Sequence, residues 1–189
     1  LVVSDVIADT DTGRLAHVRL PALAWGEKTG TVTNSERRIS MQHALFPPPG
    51  EARADWDIMC DVARRLGHGD AFAFDGPAAI FREFAAMTQL AVDHGKALDL
   101  TAHARITDRE YAALQPFQWG GERPLADRYP TPSGRARLIA VEPQVCEHND
   151  AFPLRLNTAR YRDQWHTMTR TGLSPTLSRH RPEPLVEVH

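Results

Sequence analysis

Between residues 115 and 150 the chain carries Pro116, Gly120, Gly121, Pro124, Pro130, Pro132, Gly134 and Pro143. No long helix or unbroken strand survives that density of breakers. The chain therefore divides into an α/β-patterned domain over 1–114, a turn-rich interdomain connector over 115–150, and the start of a second domain over 151–189. A hairpin is expected near Arg135–Val141, and Phe152–Thr158 reads as the strand opening the second domain. At 189 residues there is chain enough for one domain or parts of two.

The first part alternates strand and helix signals. Leu1-Val2-Val3-Ser4-Asp5 reads as a buried strand, with short strands also around His17–Leu20 and Thr31–Asn34. Trp25 to Gly30 is a loop with two glycine hinges, and Phe46-Pro47-Pro48-Pro49-Gly50 is a rigid polyproline connector. From Asp55 to Leu66, Ile58, Val62 and Leu66 with Trp56, Met59 and Ala63 mark an apolar helical face, and Gly67 caps its end. A second helix runs from Pro77 to Thr88, with Ile80, Phe81, Phe84 and Met87 as its core stripe. Thr107-Asp108-Arg109-Glu110 is a capping box that predicts a short helix through Leu114. Leu185–His189 alternates as a strand. A strand at each end with no partner supplied nearby leads to the expectation that the chain is a piece of a larger protein.

Composition removes several function classes. The net charge of −2 argues against a nucleic-acid binder driven by overall positive charge. No apolar run is long enough to span a membrane, and no signal-peptide pattern is visible at the start. Two cysteines are too few for a disulfide scaffold, an all-cysteine zinc site or an iron–sulfur cluster, which fits a reduced, cytoplasmic setting. Cys60 lies inside an amphipathic helix and reads as core; Cys146 is a lone thiol without a base or second ligand beside it. The nine His include no pair at metal-ligand spacing with a third ligand.

The chemistry concentrates between Leu154 and Pro182. Arg155, Arg160, Arg162, Arg170, Arg179 and Arg181 are opposed only by Asp163, among hydroxyls at Thr158, Thr167, Thr169 and Thr171 and imidazoles at His166 and His180. Of the 22 basic residues in the chain, only Lys28 and Lys96 are lysine. Guanidinium forks and hydroxyls after a strand suit an extended anion such as a pyrophosphate. A solvated basic face accounts for the same composition.

Asn157-Thr158-Ala159-Arg160 followed by Gln164-Trp165-His166-Thr167-Met168-Thr169-Arg170-Thr171-Gly172 resembles a signature of the molybdopterin oxidoreductases. Trp25-Gly26-Glu27-Lys28-Thr29-Gly30-Thr31-Val32-Thr33-Asn34-Ser35-Glu36-Arg37-Arg38 resembles a second one, and Val3-Ser4-Asp5 matches the strand before it. Within the family, the combination is most similar to the catalytic subunits of bacterial assimilatory nitrate reductases.

The resemblance implies the end of a doubly wound nucleotide-binding domain followed by the start of a β-barrel-like dinucleotide-binding domain. It implies a molybdenum bis(molybdopterin guanine dinucleotide) cofactor, and a 4Fe-4S cluster carried on a more N-terminal part of the parent protein. The activity implied for that parent is reduction of nitrate to nitrite, with electrons from a donor protein or domain; the segment alone is expected to be inactive. Cofactor contacts carry over onto Asp5 at the guanine end and onto Thr158, Ala159, Arg160, Tyr161, Arg162, Asp163, Gln164, Trp165, His166 and Thr167. No metal ligand, nucleic acid or membrane partner is implied for this segment.

Some positions depart from the family. Ala159 stands where glycine is usual, which matters if the backbone there needs positive φ. His17 stands where an acid is usual, which puts the burial of that short strand in question. Trp165 reads as a stacking platform or as core packing, and His166 as a donor toward the cofactor. Glu27 and Lys28 read as a surface pair, and Arg37-Arg38 as an interdomain ion-pair element. Two alternatives stay open: a formate dehydrogenase-like molybdoenzyme, and a non-catalytic guanine-nucleotide-binding module.

Overall fold

A computed structural model describes residues 1–120, 129, 131–144, 149–180 and 185–188. Cys146 and Arg181 lie outside these residues. The chain forms two compact units, Leu1–Leu138 and Ile139–His189.

In the first unit, β1 (Val2–Asp5) and β2 (Val18–Pro21) pair in parallel, from Val2 opposite Val18 to Asp5 opposite Pro21. Parallel strands need a crossover, supplied here by α1 (Asp11–Arg14), whose first turn is capped by the Thr10 hydroxyl accepting from Gly13 N–H. The strand expected at the start is therefore present, but it is not buried: Val2 and Val18 are both exposed. Strands of a parallel sheet are ordinarily covered by helices on both faces, and two strands with a one-turn helix leave this ribbon largely open.

The core of this unit is built on a second sheet. β3 (Gly30–Thr33), β4 (Arg38–Gln42) and β5 (Phe117–Gln118) pair antiparallel in the order β3-β4-β5. Ile39 on β4 packs with Ala85 and Leu100, while Ala78, Phe81 and Tyr111 form a neighbouring cluster that draws in Met41 and Phe117. β4 is not among the strands expected from the sequence, although Ile39 and Met41 alternate with Arg38, Ser40 and Gln42 at strand period. Nor is the two-residue β5.

Both long helices form where predicted, each rotated from the expected burial. α2 (Asp55–Arg65) ends at Leu66, with Gly67 following at φ 89°. It buries Ile58, Cys60 and Ala63 and leaves Met59, Val62 and Leu66 exposed. Its azimuth is set just upstream, where Arg53 N–H donates to the Pro21 carbonyl and the Arg53 carbonyl accepts from Leu23 N–H, both at 3.0 Å. α3 (Pro77–Asp93) outlasts the expected end at Thr88 by more than a turn. Its buried line is Ala78, Phe81, Ala85 and Thr88, so of the predicted stripe Phe81 is core and Ile80 half-buried, whereas Phe84 and Met87 are 46% and 56% exposed. The small residues on this line let the helix approach its neighbours closely, and the large ones lie to one side.

α4 (Asp108–Ala112) carries the expected capping box: Thr107 accepts from Glu110 N–H at 3.2 Å, and Glu110 accepts from Thr107 N–H at 2.8 Å.

The described residues of the second unit form turns, extended segments and the one-turn helix α5 (Pro175–Ser178). No strand forms among its described residues, so Phe152–Thr158 and Leu185–Val188 are extended without a ladder. The hairpin expected near Arg135–Val141 does not form either. A strand is defined by backbone bonds to a neighbour, and alternation alone cannot supply one. The fold is thus mixed α/β with small sheets, and no closed barrel occurs among the described residues. No described helix is long and apolar enough to cross a membrane.

Candidate cofactor-binding site

Asp5 sits at the carboxyl end of β1, the position expected for it. One carboxylate oxygen accepts the Ile7 N–H at 3.1 Å, closing a turn of the Asx type, and its backbone carbonyl accepts Ala22 N–H at 3.0 Å. The other ten candidate residues belong to the second unit.

There the chain from 159 to 168 folds around an open cleft of about 310 Å³, lined by Ala159, Arg160, Tyr161, Gln164, Trp165, His166, Thr167 and Met168. Seven of the predicted residues therefore share one cavity. Thr158 is not part of its lining, and Arg162 and Asp163 line a second, wider recess with Thr176, Leu177, Arg179 and His180.

The cleft is shaped by an unusual backbone. His166, Thr167 and Met168 have φ of 40°, 55° and 66°, three successive left-handed residues without a glycine. Each costs an L-residue roughly 1–2 kcal/mol. Local bonds offset part of that cost: the His166 carbonyl accepts the Thr167 hydroxyl at 2.6 Å and the Thr169 hydroxyl at 3.0 Å. Nothing in the sequence announces this turn, since it lacks the Gly or Asn that usually marks left-handed backbone. Ala159 is not among the positive-φ residues, so the alanine there is unstrained.

Chemically the cleft offers donors and ring faces. Arg160 forms no hydrogen bond or ion pair with a described residue, which leaves its guanidinium available to an anion. The Trp165 indole is 63% exposed and meets the His166 ring edge-on at 4.9 Å between centroids, an uncovered stacking surface rather than core. Asp163 is held below the ordinary carboxylate range, first by hydrogen bonding to the Arg162 guanidinium, with His180 adding to the effect. Sequence reasoning missed the ties at the base of this loop, from Gln164 to Thr171 and Leu177 and from Asp163 to His180. They join residues several positions apart that share no periodic pattern.

Other candidates take structural roles. Cys60 is buried in α2 as expected. Glu27 and Lys28 do not pair: Glu27 accepts Ala24 N–H at 2.7 Å, and Lys28 pairs with Asp55 at 2.8 Å. Arg37 is engaged by Trp119 and not by an acid. Among the described residues no group of His, Cys, Asp or Glu is arranged to hold a metal ion.

Residues 1–65 match the molybdopterin oxidoreductase family. Along its whole length the chain is 52% identical over 194 residues to a nitrate reductase of Klebsiella oxytoca, covering 22% of that protein. It is 40% identical over 208 residues to a nitrate reductase of Shewanella frigidimarina, again across the whole chain and 22% of the relative. It is 35% identical over 192 residues to the alpha subunit of an F420-dependent formate dehydrogenase of Methanocaldococcus jannaschii, covering all of this chain and 28% of that one. The chain belongs to the molybdopterin oxidoreductases, a family that implies a molybdopterin cofactor. It spans about a fifth of the length of the nitrate reductases it matches.

The cleft's own chemistry fits part of such a group. An uncommitted guanidinium, a hydroxyl and an exposed indole suit an anionic, planar ligand, and about 310 Å³ accommodates a pterin or a pyrophosphate rather than a whole dinucleotide.

Proposed function

We propose that this chain is a cofactor-binding portion of a cytoplasmic molybdenum enzyme that reduces nitrate to nitrite. The observation that carries the reading is the 52% identity to a nitrate reductase along the whole chain. The cofactor proposed is bis(molybdopterin guanine dinucleotide), with electrons arriving from a donor protein or domain by way of a 4Fe-4S cluster elsewhere in the parent protein. Residues 1–114 are the C-terminal part of a doubly wound nucleotide-binding domain, residues 115–150 connect, and residues 151–189 open a barrel-like dinucleotide-binding domain.

When bound, the molybdenum centre supplies oxygen-atom transfer, and the protein's part is binding and orientation. Arg160 neutralises phosphate or the anionic pterin edge through charge-assisted hydrogen bonds, with the His166 ring adding a donor from the left-handed turn. Trp165 offers its face to a planar ring. Asp5 reads guanine: an ionised carboxylate meets the ring N–H and the exocyclic amine together, a donor pair that adenine lacks. Its Asx bond to Ile7 uses one lone pair of one oxygen, leaving acceptor capacity on both.

The 35% identity to a formate dehydrogenase subunit supports a second reading, oxidation of formate on the same scaffold. The protein carrying this chain, purified with its cofactor, separates the two. Nitrite formed from nitrate with a reduced viologen as donor is the expected result. Oxidation of formate with no reduction of nitrate would overturn the first reading in favour of the second.

A further inference from the structure

The loop holding the left-handed turn is tied shut at its base by three consecutive residues. Asp163 meets His180 Nδ1 through one carboxylate oxygen and Arg162 Nε through the other at 3.0 Å. Gln164 donates to the Leu177 carbonyl at 3.4 Å and accepts from the Thr171 hydroxyl, and that hydroxyl oxygen in turn accepts Trp165 N–H at 3.1 Å. Residues 163–165 are thus anchored to 171, 177 and 180, and the strained His166–Met168 segment lies inside the closed loop.

Asp163 is also ill suited to bind the cofactor directly. A carboxylate beside a phosphate is repelled, and this one already bonds the Arg162 guanidinium and the His180 ring in the recess that Arg179 also lines, outside the walls of the cleft. Its side chain is 22% exposed, against 78% for Arg162 and 53% for His180, so it is the enclosed member of the trio. Left-handed backbone at side-chain-bearing residues persists only where its surroundings over-determine it.

We propose that Asp163 and His180 form a clasp that holds the His166–Met168 turn in shape, making Asp163 a positioning residue and not a cofactor ligand. The functional consequence rests on the reading of the cleft as the cofactor's seat; the clasp itself does not. Opening it lets residues 166–170 relax, turns Thr167 and His166 away from their common target and frees the already exposed backbone at Arg170 to enter a protease in extended form.

The test uses the full-length enzyme with Asp163→Ala, His180→Ala, the double variant, Asp163→Glu and Arg160→Ala. Two quantities are read: molybdenum lost per protein during gel filtration, and the rate of tryptic cleavage after Arg170 in cofactor-free enzyme. Each single alanine variant is expected to raise both rates about three- to tenfold, the range of a partly enclosed ion pair. The double variant should be no worse than either single, and Asp163→Glu should recover most of the loss. Should Asp163→Ala fail to fold, the isosteric Asp163→Asn carries the test, with a smaller rise in both rates. Wild-type cleavage and retention in Asp163→Ala, or effects that multiply in the double variant, overturn the clasp. If Arg160→Ala keeps its molybdenum while cleavage rises in Asp163→Ala, the clasp stands and the cofactor reading of the cleft fails.

Discussion

Arg37 and Trp119, 82 residues apart, hold the β3–β4 turn against the end of β5. Arg37 Nη1 donates to the Trp119 carbonyl at 2.7 Å, its guanidinium carbon lies 5.4 Å from the indole centroid, and Trp119 N–H returns a bond to the Arg37 carbonyl at 3.2 Å. Arg37 adopts φ 67° to do this. The side chain thus combines a charged hydrogen bond with a cation–π contact, and the two together outweigh the left-handed backbone. Arg37→Ala is expected to cost about 2 kcal/mol in urea unfolding of the chain. Arg37→Lys should recover less than half, because an ammonium lacks the planar fork that bonds and stacks at once.

Thr88 is the buried polar residue of α3, 3% exposed. Its hydroxyl donates to the Ala85 carbonyl at 2.7 Å and accepts the Leu100 N–H at 2.9 Å, fastening the 98–100 segment to the helix. Thr88→Val keeps the shape and leaves the Leu100 N–H buried without a partner, a loss of about 1–3 kcal/mol. Thr88→Ser keeps both bonds and should cost less. A Thr88→Val variant as stable as wild type in a denaturant titration, with Thr88→Ser the destabilised one, would show that the methyl, not the hydroxyl, matters there.

Arg53 grips Asp57 at 2.7 Å and Asp61 at 3.1 Å, and Arg65 joins Asp61 at 3.4 Å. Hydrogen bonding to Arg53 is the largest cause holding both carboxyls below the ordinary range. A carboxyl with a lowered native pKa contributes stability that is full above its unfolded value, about 3.9, and is lost as pH falls through that value toward the native one. The acid limb of the stability profile should therefore be flatter in Arg53→Ala than in wild type. Superimposable limbs below about pH 5 would mean that these exposed pairs carry no weight.

The elements legible in the sequence were those with a local cause. The capping box at Thr107–Glu110 and the Gly67 stop after α2 need only neighbouring residues, and both stand where the sequence places them. Which face a helix buries is set by distant partners, so α3 turned Ala78, Phe81 and Ala85 inward and left Phe84 and Met87 at the surface. Strands need a neighbour to bond, which is why β4 formed on a modest pattern and Phe152–Thr158 did not form on a stronger one. In the cleft, seven candidate residues were found through a contiguous motif. The left-handed turn and its clasp depend on backbone strain and on contacts from residues 171 to 180, which no motif spells out.

If the cleft at residues 159–168 holds the molybdenum cofactor as proposed, Arg160 is the side chain whose loss should show it. Its guanidinium has no partner among the described residues, so replacing it removes little from the protein's own bonding. The measurement is molybdenum per protein after gel filtration of the full-length enzyme, wild type against Arg160→Ala, with a thermal melt to show that the fold is kept. Losing charge-assisted hydrogen bonds to the cofactor costs about 1.5–3 kcal/mol, or one to two decades in affinity. A clear fall in molybdenum occupancy at limiting cofactor with an unchanged melt is expected. Equal occupancy in the two proteins, at limiting and saturating cofactor alike, would contradict it and return Arg160 to a solvated basic face.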